Sequence, residues 1–245
     1  MSKRILIFST AYLPLVGGAE LAVKELTDRL LGYEFDLITA RINKQSPKRE
    51  KIGRITVYRL GSGTYFDKLM LAFNGGRFGA KLHQKEPYNV VWGIMASFAG
   101  LAAAGFKQRT KVPFLLTLQE GDSLESVERK MAPLWWKFKN IFFSADQIQV
   151  ISNYLAAWAK RMESVAPVTV IPNGVDLKTF YCDQEKLNEG NEKTIFTSSR
   201  LVKKNAVDII IRALVKLPNN FKLRIAGVGE EEVQLKKLVQ DLKVS

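Results

Sequence analysis

Short apolar, β-branched runs alternate along this chain with stretches in which apolar residues recur every three or four positions. The runs Arg4 to Phe8, Phe35 to Thr39, Ile55 to Leu60, Val90 to Ile94, Phe114 to Leu118 and Gln147 to Ile151 each predict a strand. Between them Val23, Leu26 and Leu30 fall on one helical face, as do Leu134, Phe138, Ile141 and Phe142. Strands separated by helices imply parallel pairing through crossovers. A run such as Phe114-Leu115-Leu116, apolar on both sides of the pleat, further implies that helices cover both sheet faces.

The texture changes after Val168 to Ile171. Pro172-Asn173-Gly174 is a turn signal, and Asp183 to Lys193 is polar and charged, so a linker is expected at 181–193. The alternation then restarts with strand Thr194 to Ser198 and helix Ala206 to Leu217, which keeps Val207, Ile210, Ile211 and Leu214 on one face. Strand Phe221 to Ala226 and helix Glu230 to Leu242 follow. The expected class is α/β, with a first Rossmann-like, doubly wound domain over 1–180 and a second begun over 194–245. Two strands make a poor independent sheet, so the second domain is expected to be incomplete, two full halves needing on the order of 300 to 400 residues.

Composition removes several classes. At 47% hydrophobic and 25% charged over 245 residues, the chain has the makings of a packed core and not of a disordered segment. Its one cysteine, Cys182, allows no internal disulfide; with no secretory leader pattern, this favours a cytoplasmic setting. No apolar run approaches the roughly 20 residues that span a bilayer. The net charge of +13 calls for an anionic partner: nucleic acid, an anionic membrane face or a phosphorylated substrate. The densest basic stretch, Arg41 to Arg54, carries no aromatic ring on which a base stacks, so it is expected to be a solvated loop and nucleic acid is not expected as a partner.

The first strand runs into Ser9 to Glu20, with Gly17 and Gly18 where the first helix begins. Two readings stand: backbone N–H groups at a helix start that favour an anion or a sugar hydroxyl, or a tight turn that needs positive φ. The Gly-x-Gly-x-x-Gly fingerprint and its ribose-binding acid are missing, which argues against a nicotinamide-dependent oxidoreductase.

Four stretches, Gly17-Gly18-Ala19-Glu20, Val150 to Leu155, Val170 to Phe180, and Ser199-Arg200-Leu201-Val202 leading to Val207-Asp208, occur in an order and spacing that resembles the retaining glycosyltransferases of the GT-B fold, family 4. The resemblance covers almost the whole chain. It implies a nucleotide-sugar donor of a hexose-type sugar held mainly by the second domain, and a sugar, polysaccharide, lipid-linked or small-molecule acceptor held mainly by the first. It also implies transfer with retention, no obligatory metal, and no cofactor beyond the nucleotide-sugar co-substrate. Arg200 matches the family arginine that contacts the donor diphosphate, and Gly17 and Gly18 match the glycine loop near the same phosphates. Physically, a fixed guanidinium and backbone donors stabilise the charge that builds as a nucleoside diphosphate leaves.

The chain departs from the family pattern at three places. Where the family has Lys then Gly, this sequence has Asn205 and Ala206, so Lys204 is the candidate to reach the phosphates, the other reading being that Lys203 and Lys204 are both solvated. Where the family commonly places a His near the sugar, this sequence has Gln119, which bonds hydroxyls but shuttles no proton; Glu120 and Asp122 are acidic candidates in the same loop. The family's acidic donor motif lies beyond Ser245, so residues 1–245 alone are expected to bind donor weakly and to transfer nothing, and a non-catalytic binding module is the alternative reading. Gly227 and Gly229 match the glycine turn near the nucleotide, or serve only as a strand-to-helix turn. His83, the one histidine, is expected at the surface. Finally, on a wheel through Glu128 to Phe143 the rings of Trp136 and Phe143 lie off the core face beside Arg129 and Lys139. They suit peripheral contact with an anionic membrane, at the inner face, or packing against another helix.

Overall fold

The structure, a computed structural model, describes residues 3–181 and 191–244. Cys182 and most of the expected linker lie outside the described residues. The chain divides into two compact units, Met1–Val175 and Asp176–Ser245.

The first unit is built on eight strands. In chain order they are β1 (Lys3–Phe8), β2 (Tyr33–Ala40), β3 (Arg49–Ile52), β4 (Ile55–Leu60), β5 (Val90–Ile94), β6 (Phe114–Leu118), β7 (Gln147–Val150) and β8 (Val168–Val170). Their order in the sheet is β3-β4-β2-β1-β5-β6-β7-β8, and every pairing is parallel except β3 with β4. The connections run outward from β1 in one direction to β2 and in the other to β5. The carboxyl ends of β1 and β5 therefore form the switch point at which open α/β sheets bind ligands.

Alternation along β1 sends Leu6 and Phe8 to one face and Ile7 to the other, and each side builds its own core. On the first side pack α2 (Asp67–Lys85), α3 (Phe98–Thr110), α5 (Trp135–Ser144) and α6 (Asn153–Arg161). α3 is nearly continuous in small buried residues, and a Cβ on Gly76 of α2 would stand 2.7 Å from the backbone of Gly105 and Phe106. Glycine in a helix interior costs stability, and here it lets two helix backbones approach. The second side is covered by α1 (Gly18–Arg29) through Ala19 and Val23. At the far edge of that side Gln147 and Gln149 are only half-buried, their amides donating to Thr169 Oγ1 and the carbonyl of Ile171.

Four expectations change. The basic stretch Arg41 to Arg54 is not simply a solvated loop, because Arg49–Ile52 forms the antiparallel edge strand β3; its charged residues are what protects an edge strand from pairing with other chains. Leu26 is exposed, and Thr27 takes its place on the buried face by donating its hydroxyl to the carbonyl of Val23 at 2.9 Å. The wheel through Glu128 to Phe143 is broken into α4 (Leu124–Met131), a 3₁₀ turn at Ala132–Leu134 and α5, because Pro133 has no N–H to give. His83 is half-buried: its Nδ1 accepts from the Tyr88 N–H at 3.0 Å and its ring packs on Tyr88 and Phe106.

The second unit has two parallel strands, β9 (Lys193–Ser198) and β10 (Phe221–Ala226), in register from Lys193 opposite Phe221 to Ser198 opposite Ala226. Helices α7 (Val207–Leu214) and α8 (Glu232–Asp241) close over a small core of Leu201, Val207, Ile211 and Leu235. α7 starts one residue later than its periodicity predicts, since Ala206 stands in the left-handed region at φ 50°.

Candidate active site

In the first unit the candidates gather at the switch point. The chain leaving β1 is held by Arg59 of β4, buried, whose guanidinium donates to the carbonyls of Leu13 at 2.6 Å and Pro47 at 3.1 Å and pairs with Glu50. That anchored loop delivers Gly17 as the N-cap of α1, with no side chain capping the helix. Gly17 has φ −140°, and neither it nor Gly18 has positive φ, so the tight-turn reading of the pair falls. A Cβ on Gly17 would meet the Glu20 carboxylate, whereas around Gly18 there is open space. The first N–H groups of α1 thus open to solvent at Gly18, with the dipole's positive end behind them.

Across the switch point, Thr10 Oγ1 and Ser97 Oγ lie 3.0 Å apart, tying the loop after β1 to the loop after β5. The Ala99 N–H of α3 also donates to Thr10 Oγ1, at 3.3 Å. Met95, directly after β5, takes φ 68°, a strained conformation for a side-chain-bearing residue, just ahead of the Ala96 N–H that faces the loop after β6. That N–H donates to Glu120 Oε1 at 2.6 Å. Glu120 Oε2 is buried without a hydrogen-bond partner, while the residue as a whole is half-buried. Burial pushes the Glu120 carboxyl up to about 7, while the N–H groups of Ala96, Glu120 and Gln119 pull it back. Gln119 is buried at the end of β6. Asp122 does not join them: it is exposed and accepts from Lys130 Nζ at 3.2 Å. Thr10, Ser97 and Met95 escaped the sequence reading; Ser97 ahead of the apolar run Phe98 to Phe106 was the available signal, as an N-cap pattern.

In the second unit the chain leaving β9 continues the ladder past the strand ends. The Ser199 N–H donates to the Ala226 carbonyl at 3.1 Å and the Leu201 N–H to the Val228 carbonyl at 2.9 Å. Arg200, between them, is pinned on both sides while its own side chain is exposed. Its carbonyl accepts from the Val202 N–H at 3.0 Å and from the Asn205 side-chain amide at 2.7 Å. This close approach explains Gly227 and Gly229. A Cβ on the first would stand 1.9 Å from the Ser199 oxygen, and on the second 2.2 Å from the Leu201 oxygen. Neither has positive φ, so both are glycine because another backbone lies against them. Lys203 and Lys204 stand exposed in a 3₁₀ turn, Lys203–Asn205, beside Arg200.

Among the described residues no group of three or more His, Cys, Asp or Glu side chains has the arrangement to hold a metal ion. Among them, too, no helix is long and apolar enough to cross a membrane.

These features define an α/β protein of the GT-B type with two Rossmann-like units, a class that comparison with known proteins resolves further. Residues 16–179 match the model of Glycosyltransferase Family 4, and residues 182–245 that of Glycosyl transferases group 1. The chain belongs to glycosyltransferase family 4. An uncharacterized glycosyltransferase of Methanocaldococcus jannaschii is 24% identical over 217 residues, which cover 89% of this chain and 58% of that protein. The chain thus spans less than two thirds of the curated relative it matches. Among solved structures, Anabaena HepE in complex with UDP and glucose superposes with a TM-score of 0.68 at 17% identity, over 99% of this chain and 67% of that one. The apo lipopolysaccharide outer core galactosyltransferase WaaB gives 0.66 at 15% identity, over 99% and 65%. A glycosyltransferase from Rickettsia africae gives 0.64 at 17% identity, over 99% and 66%.

Proposed function

We propose that this protein moves a sugar from a nucleotide diphosphate sugar to a sugar or lipid-linked acceptor, with retention at the transferred carbon and without metal or further cofactor. The observation that carries the reading is the preorganised Arg200. Its backbone is fixed by four hydrogen bonds, two to its neighbours and two to its own carbonyl, while the guanidinium remains exposed. Breaking the bond between sugar and diphosphate leaves negative charge on phosphate oxygens, and a cation already in place stabilises it without reorganisation. Arg200 takes the charge-neutralising role a metal serves elsewhere, with Lys204 as a second cation and the Gly227–Gly229 turn on the nucleotide side. In the first unit, Gly18 and the start of α1 offer exposed backbone donors of the kind that suit an anion. Membership in family 4 and the likeness to a structure holding UDP and glucose support this assignment.

On the acceptor side, Gln119 and Glu120 are the polar groups at the switch point of the first unit, with Asp122 further out on the loop. Glu120 ionises near neutrality, so at working pH it holds or accepts a proton beside an acceptor hydroxyl. Calorimetric titration of the protein with UDP and with GDP tests the donor half of the proposal. Binding that weakens at least tenfold in Arg200→Ala supports it, and binding indifferent to that change removes Arg200 from the site.

A further inference from the structure

α2 has two apolar faces. One, through Leu71, Gly75 and Gly79, is buried against the sheet and α3. The other runs through Phe66, Leu69, Met70 and Phe73, at spacings that share one side of the helix, and stays exposed, Phe66 at 76%. Contiguous apolar surface of this kind marks a contact with something outside the fold.

The charges around this stripe have one sign. The only acid of α2, Asp67, is buried and accepts from the N–H groups of Gly63 at 2.6 Å and Thr64 at 3.0 Å, whereas Arg77 and Lys81 are exposed and Lys68 is half-buried. Lys68 Nζ stands over the exposed Tyr65 ring at 4.0 Å. From α5, Lys137 Nζ stands over the Phe73 ring at 5.0 Å, which sets α5 beside the stripe. α5 contains no acid, and its Trp136 is 81% exposed.

We propose that the α2–α5 face docks the first unit on an anionic bilayer surface. Phe66, Phe73 and Trp136 enter the boundary between headgroups and acyl chains, and Lys68, Arg77 and Lys137 meet lipid phosphates. Aromatic rings under lysine ammonium groups fit that layer, which is apolar below and anionic above. A second copy of the chain is opposed, because it would bring the same cations against these. The inference stands independently of the transferase reading.

The test is co-sedimentation of the protein with vesicles of phosphatidylcholine alone and of phosphatidylcholine mixed with phosphatidylglycerol. The mixed vesicles should bind the protein, binding should fall with added salt, and the Phe66→Ser/Phe73→Ser double variant should lose about tenfold in partition. Tyr154→Ser, on the exposed part of α6, should leave partition unchanged. Quenching of tryptophan emission by brominated lipid gives a second readout: wild type should be quenched, and Trp136→Phe should lose most of the effect. Absence of binding to mixed vesicles, binding unaltered in the double variant, or quenching unaltered in Trp136→Phe overturns the proposal. So does self-association in solution that the double variant abolishes.

Discussion

The side-chain amide of Asn205 donates to the backbone carbonyl of Arg200 at 2.7 Å, so the residue standing where the family has a lysine latches the arginine loop. Removing it frees the loop without removing a charge. Asn205→Ala is expected to weaken UDP or GDP binding about fivefold, in keeping with one lost hydrogen bond of about 1 kcal/mol. Titration calorimetry reads this directly, and an affinity equal to wild type would show that the latch does not hold Arg200.

The next residue, Ala206, has φ 50°, where an L side chain is strained and glycine is not. Ala206→Gly should therefore stabilise the second unit, by about 0.5 to 1 kcal/mol after the added freedom of the unfolded chain is counted. A thermal melt that shifts downward instead would place Ala206 outside the left-handed region.

Gly227 and Gly229 predict the opposite sign. A Cβ at either would overlap a backbone oxygen of the arginine loop, which has no flexible end to give way. Gly227→Ala is expected to cost about 1 to 3 kcal/mol of stability and to abolish nucleoside diphosphate binding. Gly174→Ala, where the structure leaves open space, should do neither. Equal behaviour of the two variants in denaturant titration would contradict the close approach.

Glu120 makes stability fall as pH rises. Its folded carboxyl is raised from 4.5 to about 7, so between these values the native state keeps a proton that the unfolded chain has released. The stabilisation is whole below pH 4.5 and gone above pH 7. Glu120→Gln, which cannot ionise, should match wild type at low pH and exceed it by up to about 3 kcal/mol above neutrality. Denaturant curves at several pH values check this, and a constant difference across the window would mean that the carboxylate is not buried as described.

Much of this architecture is legible in the sequence because periodicity is. Runs apolar on both sides of the pleat, such as Phe114 to Leu116, announce buried parallel strands, and Val207 with Ile211 announces a helix face. β3 is not legible, because Arg49-Glu50-Lys51-Ile52 looks like a charged loop; an edge strand is charged for reasons that only the sheet reveals. Thr27 hides on a buried face because its hydroxyl satisfies itself on the helix's own backbone. At the site, Arg200 is visible through its motif, while Asn205 as a latch and Gly227 as a contact are not. Both depend on two loops meeting, and the loop after β9 says nothing of the loop after β10 until they are paired. Met95 is invisible for the same reason: its conformation is imposed by the neighbours it joins.

The central claim is that Arg200 is a fixed cation for the departing diphosphate. It is tested most directly by kcat/KM for nucleotide-sugar turnover coupled to glycosylated product in the full-length protein. Arg200→Ala should lower it about a hundred- to a thousandfold, comparable to losing one preorganised oxyanion donor. Lys204→Ala should lower it more than Lys203→Ala. An unchanged kcat/KM in Arg200→Ala, with product still formed, would contradict the account.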